Sequence, residues 1–168
     1  MDNPQLTKAQ KYLSPNQKKL VQDGAVLIES TKQHLSGKMN DYSFLVAPFA
    51  KAYEGFLKDF FLKIDLIDLH LHRSDHFRVG KTLNPSLRYK RFSIYQRLAD
   101  LDPKGELLAE KLWHAWKNSR NEIFHWFPHN LKNLSLPEAI ERANLILNVI
   151  DETGLFLNQN PIGRKYRS

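Results

Sequence analysis

The sequence predicts an all-α fold, an antiparallel helical bundle of four to five helices. Three observations predict it. Apolar residues recur every three or four positions over long stretches. Helix-start and helix-stop signals bracket those stretches. Almost no β-hairpin pattern competes, and only the alternation from Leu69 to His72 suggests a strand. At 168 residues the chain has the length of one domain. We divide it into a polar lead over 1–15, one helical domain over 16–157, and a basic tail over 158–168 that holds Arg164, Lys165 and Arg167.

Ser14-Pro15-Asn16 opens the first helix, with Leu20, Gly24, Leu27 or Ile28, Thr31 and Leu35 at helical spacing, before Ser36-Gly37 ends it. Gly24 falls on that stripe, where the missing side chain would admit a neighbouring helix. A second helix begins between Tyr42 and Leu45, with Pro48 placed in its first turn. Leu45, Phe49, Ala52, Tyr53, Phe56, Phe60 and Ile64 form its long apolar face. The segment from Asp65 to Leu83 either extends this helix or crosses irregularly. Asn84-Pro85-Ser86 starts a shorter helix to about Ala99, with Leu87, Ile94 and Leu98 inward. Asp102-Pro103 pairs an N-cap with a first-turn proline. Leu108, Leu112, Ala115, Trp116, Ser119, Ile123 and Trp126 then continue to a stop before Pro128, near Phe127. Ser135-Leu136-Pro137-Glu138 reads as a capping box, and Ala139, Ile140, Ala143, Ile146, Leu147 and Ile150 carry the last helix to about Gly154.

Composition excludes several classes of function. The chain has no cysteine, so disulfide scaffolds, thiolate zinc sites and thiol nucleophiles are out. Its most apolar stretch, Phe44 to Leu71, carries Lys51, Glu54, Lys58, Asp59, Lys63, Asp65 and Asp68, too much charge for a bilayer span. The amino-terminal residues lack the layout of a signal peptide, and we expect a soluble, cytoplasmic protein. P-loop, Rossmann and serine-hydrolase signatures are missing. Lys and Arg number 25 against 18 Asp and Glu, a net charge of +7 that favours a polyanionic partner such as nucleic acid. The excess concentrates in Arg73, Arg78, Lys81, Arg88, Lys90 and Arg91, with Phe77, Tyr89 and Phe92 between them as surfaces for stacking bases. The same run also reads as a solvated face.

Three histidine groups are candidates for chemistry. His72 and His76, one helical turn apart and joined by His70 and Asp75, could ligate a metal, yet no HExxH or carboxylate triad supports them. His114 reads as an interhelical or surface histidine. His125 closes the run Arg120-Asn121-Glu122-Ile123-Phe124-His125 at a helix end. Asn121 and His125 would share one side of that helix, and Arg120, about 140° round, could bend back. Arginine can hold a phosphate and its growing transition-state charge, and imidazole can move a proton to or from an oxygen. The rival reading is a surface arginine with a histidine favoured by the helix dipole.

R-N-x3-H near the end of the penultimate long helix of an all-helical domain resembles the HEPN superfamily. The segment Phe49-Ala50-Lys51-Ala52-Tyr53-Glu54-Gly55-Phe56-Leu57-Lys58 resembles the corresponding helix of the RNase LS-type bacterial toxins. The resemblance implies a metal-independent endoribonuclease without a cofactor, working as a homodimer whose paired motifs face one cleft. It further implies catalytic roles for Arg120, His125, Asn121 and Glu54, with RNA as substrate, a toxin or phage-defence role, and an antitoxin or inhibitor protein as a possible partner. Read from the residues alone, Glu54 between Lys51 and Lys58 is equally a surface salt bridge. Two other readings stay open: a non-catalytic HEPN-like module that binds RNA or protein, and a structural protein whose apolar face completes a hetero-complex.

Overall fold

A computed structural model describes residues 3–101, 104–125, 128 and 132–159, and all regular structure among them is helical. In order come α1 (Pro4–Gln10), α2 (Pro15–His34), α3 (Ala47–Lys63), α4 (Leu69–Arg73), α5 (Val79–Thr82), α6 (Ile94–Ala99), α7 (Gly105–Trp116) and α8 (Leu136–Gln159). Short 3-10 turns precede α3 at Ser43–Val46 and follow α5 at Pro85–Leu87, and a π-helical turn, Lys117–Asn121, continues α7. The all-α class is therefore the one expected, but eight α-helices stand among the described residues where four to five were expected. The Asp102-Pro103 cap, Trp126, Phe127 and the basic tail beyond 159 lie outside the described residues.

The centre of the molecule is α3. The expected face is buried throughout, and Ala50, Leu57 and Phe61 are buried as well, so the helix is enclosed on nearly every side. It packs against α2, α8 and the π turn. Each fully buried aromatic contributes about 2 kcal/mol of transfer free energy. Tyr53 keeps its hydroxyl satisfied by donating to Leu112 O at 3.0 Å, while burial pushes its phenol well above the ordinary range.

The buried stripe of α2 is Gln17, Val21, Gly24, Ile28 and Thr31, which resolves the Leu27 or Ile28 ambiguity in favour of Ile28. Gly24 is the point of closest approach: a Cβ there would lie 2.5 Å from Phe49 Cε2. Gln17 ties the start of α2 to the end of α3. Its Oε1 accepts from Ser14 N at 2.9 Å and its Nε2 donates to Asp59 Oδ2 at 2.7 Å.

Several expectations need correction. The residues assigned to a polar lead contain α1, which packs on α8 and places Ala9 and Leu13 in the core. Its nucleus is a cap, with Asn3 Oδ1 accepting from Gln5 N and Leu6 N at 3.0 and 3.1 Å and Pro4 in the first turn. Nor does α8 stop at Gly154. That glycine is a notch against which the Tyr12 ring rests, and the helix runs on to Gln159. The helix expected from Pro85 to Ala99 is broken. Ser93 Oγ accepts from Gln96 N at 3.2 Å and starts α6 afresh, leaving turns before it. Leu87 is only partly buried, whereas Ile94 and Leu98 face inward as expected.

After α3 the chain crosses irregularly. Asp65 takes φ +59 and closes α3 with a Schellman pattern, Leu66 N to Phe61 O at 2.9 Å and Asp65 N to Leu62 O at 3.2 Å. The capping box at α8 is present: Glu138 Oε2 accepts from Ser135 N at 2.8 Å and from Ser135 Oγ at 2.6 Å.

The approach to α8 is fastened by Asp41. Its Oδ1 accepts from Ser43 N, Ser43 Oγ and Leu134 N at 3.0, 2.6 and 3.0 Å. Burial alone would raise this carboxyl, but the hydrogen bonds from Ser43 and Leu134 outweigh it and hold it below its ordinary value. A depressed carboxylate contributes stability above its unfolded value and loses that contribution as pH falls through the folded one. Asp41→Asn is thus expected to cost roughly 1 kcal/mol at pH 7, with the difference from wild type closing below about pH 4. Urea denaturation at the two pH values checks it, and an equal loss at both would refute the assignment.

Candidate active site

The π turn Lys117–Asn121 carries the Arg120 and Asn121 of the motif. It exists because Glu122 N donates to Lys117 O at 2.9 Å, a step of five residues in place of four. Side chains reinforce it. Glu122 lies 3.1 Å from Lys132 Nζ and 3.6 Å from Lys117 Nζ, and burial is outweighed by these lysines, which hold its carboxyl below the ordinary range. Buried Ser119 donates its hydroxyl to Arg142 O at 3.3 Å and binds the turn to α8.

Arg120 is partly buried, with its guanidinium carbon 5.1 Å from the ring centroid of Trp116. Trp116 is itself buried, 6.5 Å from the Tyr53 ring. A guanidinium resting on an aromatic face keeps its N–H edges for other partners. Among the described residues, no carboxylate lies within 4 Å of it.

Glu54 and Arg120 border one surface pocket of about 180 Å³ with Lys51, Ala47, Ala50 and Phe124. The small residues Ala47 and Ala50 on α3 leave the space, and Phe124, 44% exposed, forms part of the wall. Among the described residues Glu54 pairs with neither Lys51 nor Lys58 within 4 Å, and Lys58 instead sits 5.9 Å from the Phe77 ring centroid. So the structure brings together Arg120 and Glu54. His125 does not line this pocket; it is exposed and lies beyond the helical turns. Asn121, partly buried, ends the π turn. The expected sharing of one α-helical side by Asn121 and His125 is corrected, because α7 ends at Trp116 and the backbone widens before the motif.

The basic run occupies α4 to the start of α6. Arg73, Arg78, Lys81, Lys90 and Arg91 are exposed, and Tyr89 is 91% exposed. Lys81 Nζ lies 4.8 Å from the Phe92 ring centroid. Arg88 is already engaged: it donates to Gln96 Oε1 at 2.9 Å and to Glu106 Oε1 at 3.0 Å, over the Tyr95 ring. Arg78 donates to Asp75 O. The three histidines do not converge on a metal. His72 Nε2 is 2.7 Å from Asp59 Oδ1, and among the described residues no group of three or more His, Asp or Glu side chains could hold an ion.

Sequence reasoning missed Trp116 as the support of Arg120 and Glu122 as the clamp of the turn. The four-residue step from Trp116 to Arg120 was the available signal for the first. Comparison with protein-family models, curated proteins and solved structures returned no match. No described helix is long and apolar enough to cross a membrane.

Proposed function

We propose that this chain is a metal-independent endoribonuclease with a HEPN-like bundle. The observation that carries the reading is that Arg120 and Glu54, far apart in sequence, border one pocket while Arg120 is supported from behind by Trp116. The scheme needs RNA. A ribose 2′-OH attacks the adjacent phosphorus, the bond to the 5′-oxygen breaks, and a 2′,3′-cyclic phosphate and a 5′-OH result. His125 takes the proton from the 2′-OH or returns one to the leaving oxygen. Arg120 holds the charge that grows on the phosphoryl oxygens. Glu54 orients Arg120 across the pocket, and Asn121 orients the histidine or the strand. One Arg–His pair is sparse for this reaction, so a two-fold homodimer that doubles the motif in one cleft completes the proposal. Exposed Arg73, Arg78, Lys81, Lys90 and Arg91 guide the strand, with Tyr89 as a stacking surface. Cytoplasmic action as a toxin or defence effector, checked by an inhibitor protein, belongs to the same reading.

The test is incubation of a mixed single-stranded RNA pool with the wild-type chain in EDTA. Cyclic-phosphate ends are the expected product, and intact RNA with a well-folded protein would refute the enzyme. In that case the exposed Tyr89 beside its basic neighbours favours the second reading, a non-catalytic RNA-binding module whose binding weakens with salt.

A further inference from the structure

The pocket shared by Arg120 and Glu54 has a wall that the proposed chemistry does not use, the ring of Phe124. That ring is 44% exposed, and among the described residues it stacks on no other aromatic side chain. Its backbone is fixed, since Phe124 N donates to Arg120 O at 3.3 Å. A flat apolar face held in solvent beside charged groups is a platform for a second ring. The space in front of it, about 180 Å³ over Ala47 and Ala50, falls below the roughly 300 Å³ at which pockets for drug-sized ligands begin. It suits one ring system and not a base pair. The charges around it specify the rest. Arg120 and exposed Lys51 offer cations, and among the described residues Glu54 pairs with neither of them within 4 Å. An ionised carboxylate only accepts hydrogen bonds. A ligand that satisfies all three groups therefore brings an anion for the cations and N–H donors for Glu54, as a nucleotide does.

We propose that this pocket holds a guanine base of the bound single strand, stacked on Phe124 and read by Glu54. The proposal deepens the endoribonuclease reading and rests on its assignment of Arg120 to the phosphate of that strand. Guanine is selected because its Watson–Crick edge sets two donors, N1–H and N2–H, side by side, matching the two oxygens of a carboxylate. Adenine and cytosine present one amino group next to an acceptor that repels Glu54, and uracil presents one N–H between two carbonyls. Lys51 meets a neighbouring phosphate as a point charge. Stacking on Phe124 tolerates any base and supplies affinity, whereas Glu54 supplies the choice. Glu54 thus gains a second role beside orienting Arg120, and the base it holds sets which phosphate reaches the guanidinium.

Binding of ten-residue oligodeoxythymidylates to the full chain, read by fluorescence anisotropy at fixed salt, tests it. They carry guanine, adenine, cytosine or thymine at one central position and have no 2′-OH to attack. The guanine oligomer is expected to bind about tenfold more tightly than the all-thymine one, as a bidentate contact discriminates. Phe124→Ala should weaken every oligomer about tenfold, and Phe124→Tyr should restore binding. Glu54→Gln should flatten the guanine preference without lowering overall affinity, since it also removes a negative charge. It supplies an independent arm if Phe124→Ala fails to fold. Four equal affinities, a base preferred over guanine, or binding of none overturns the proposal. So does a Phe124→Ala protein that binds as wild type does, whether or not its oligomeric state changes. The two readings fail separately. Guanine preference with no cyclic-phosphate ends from RNA removes the enzyme and keeps the pocket. Cleavage in EDTA that ignores the base and is unaltered by Phe124→Ala removes the pocket and keeps the enzyme.

Discussion

Alanine at His125 or at Arg120 is expected to abolish most RNA cleavage while leaving the bundle folded. Removing a general acid or base costs about 10²- to 10⁴-fold in rate, and removing one charge-stabilising donor about 10²- to 10³-fold. Both side chains sit at the periphery of the π turn, outside the buried core, so helix content and thermal stability should stay near wild type. Arg120→Lys distinguishes a fork from a charge: lysine keeps the positive charge but loses bidentate contact and the flat stacking on Trp116. It should recover only part of the lost rate. Glu54→Gln should show a smaller loss, since its role acts through Arg120. Single-turnover cleavage in EDTA, with oligodeoxynucleotide binding measured alongside, separates rate from affinity. Cleavage at the wild-type rate by the alanine variants would mean that the Arg120–His125 reading is wrong.

Gly24→Leu is expected to destabilise the fold strongly. In an exposed helix, replacing glycine gains up to about 1 kcal/mol of propensity. Here the first added carbon would already stand 2.5 Å from Phe49 Cε2 and 2.8 Å from Cζ, with the ring 1% exposed and unable to yield into solvent. Overpacking of this kind costs about 1–3 kcal/mol, and the rest of a leucine side chain must also force α2 from α3. A net loss of roughly 3 kcal/mol or more follows. Gly24→Ala should fall between, its propensity gain offset by the clash. Val26→Ala, on the exposed face of the same helix, is the control and should move stability by less than about 0.5 kcal/mol. Urea midpoints decide the matter; a Gly24→Leu variant as stable as wild type would mean that α2 and α3 do not meet there.

The long elements were readable because several weak signals agreed on each. In α3 the apolar spacing alone marked Phe49, Tyr53, Phe56 and Phe60 as buried, and in α8 the Ser135–Glu138 box located the start. Short elements were not readable, because they depend on one side chain at a cap rather than on periodicity. Asn3 makes α1, Ser93 restarts the chain before α6, and Asp65 adopts a positive φ that no spacing announces. At the candidate site, Arg120 stood out by spacing, whereas Glu54 drew notice only through resemblance to a family. Their common pocket depends on Ala47 and Ala50 being small, which a stripe pattern scores merely as apolar. Arg88 shows the opposite failure: a cation counted toward a basic surface is spent on Gln96 and Glu106.

The π turn also has a consequence for how this region tolerates change in length. An α-helix advances about 100° per residue, and the wider turn between Lys117 and Asn121 takes up roughly one residue more than an α turn would. The core stripe of α7 and the RNxxxH segment are therefore out of phase by about that angle. Arg120 owes its direction to the number of residues before it as much as to its chemistry. Removing one residue from this turn would re-aim the guanidinium while leaving Arg120, Asn121 and His125 all present in the chain, so a motif intact by inspection could be mute in function.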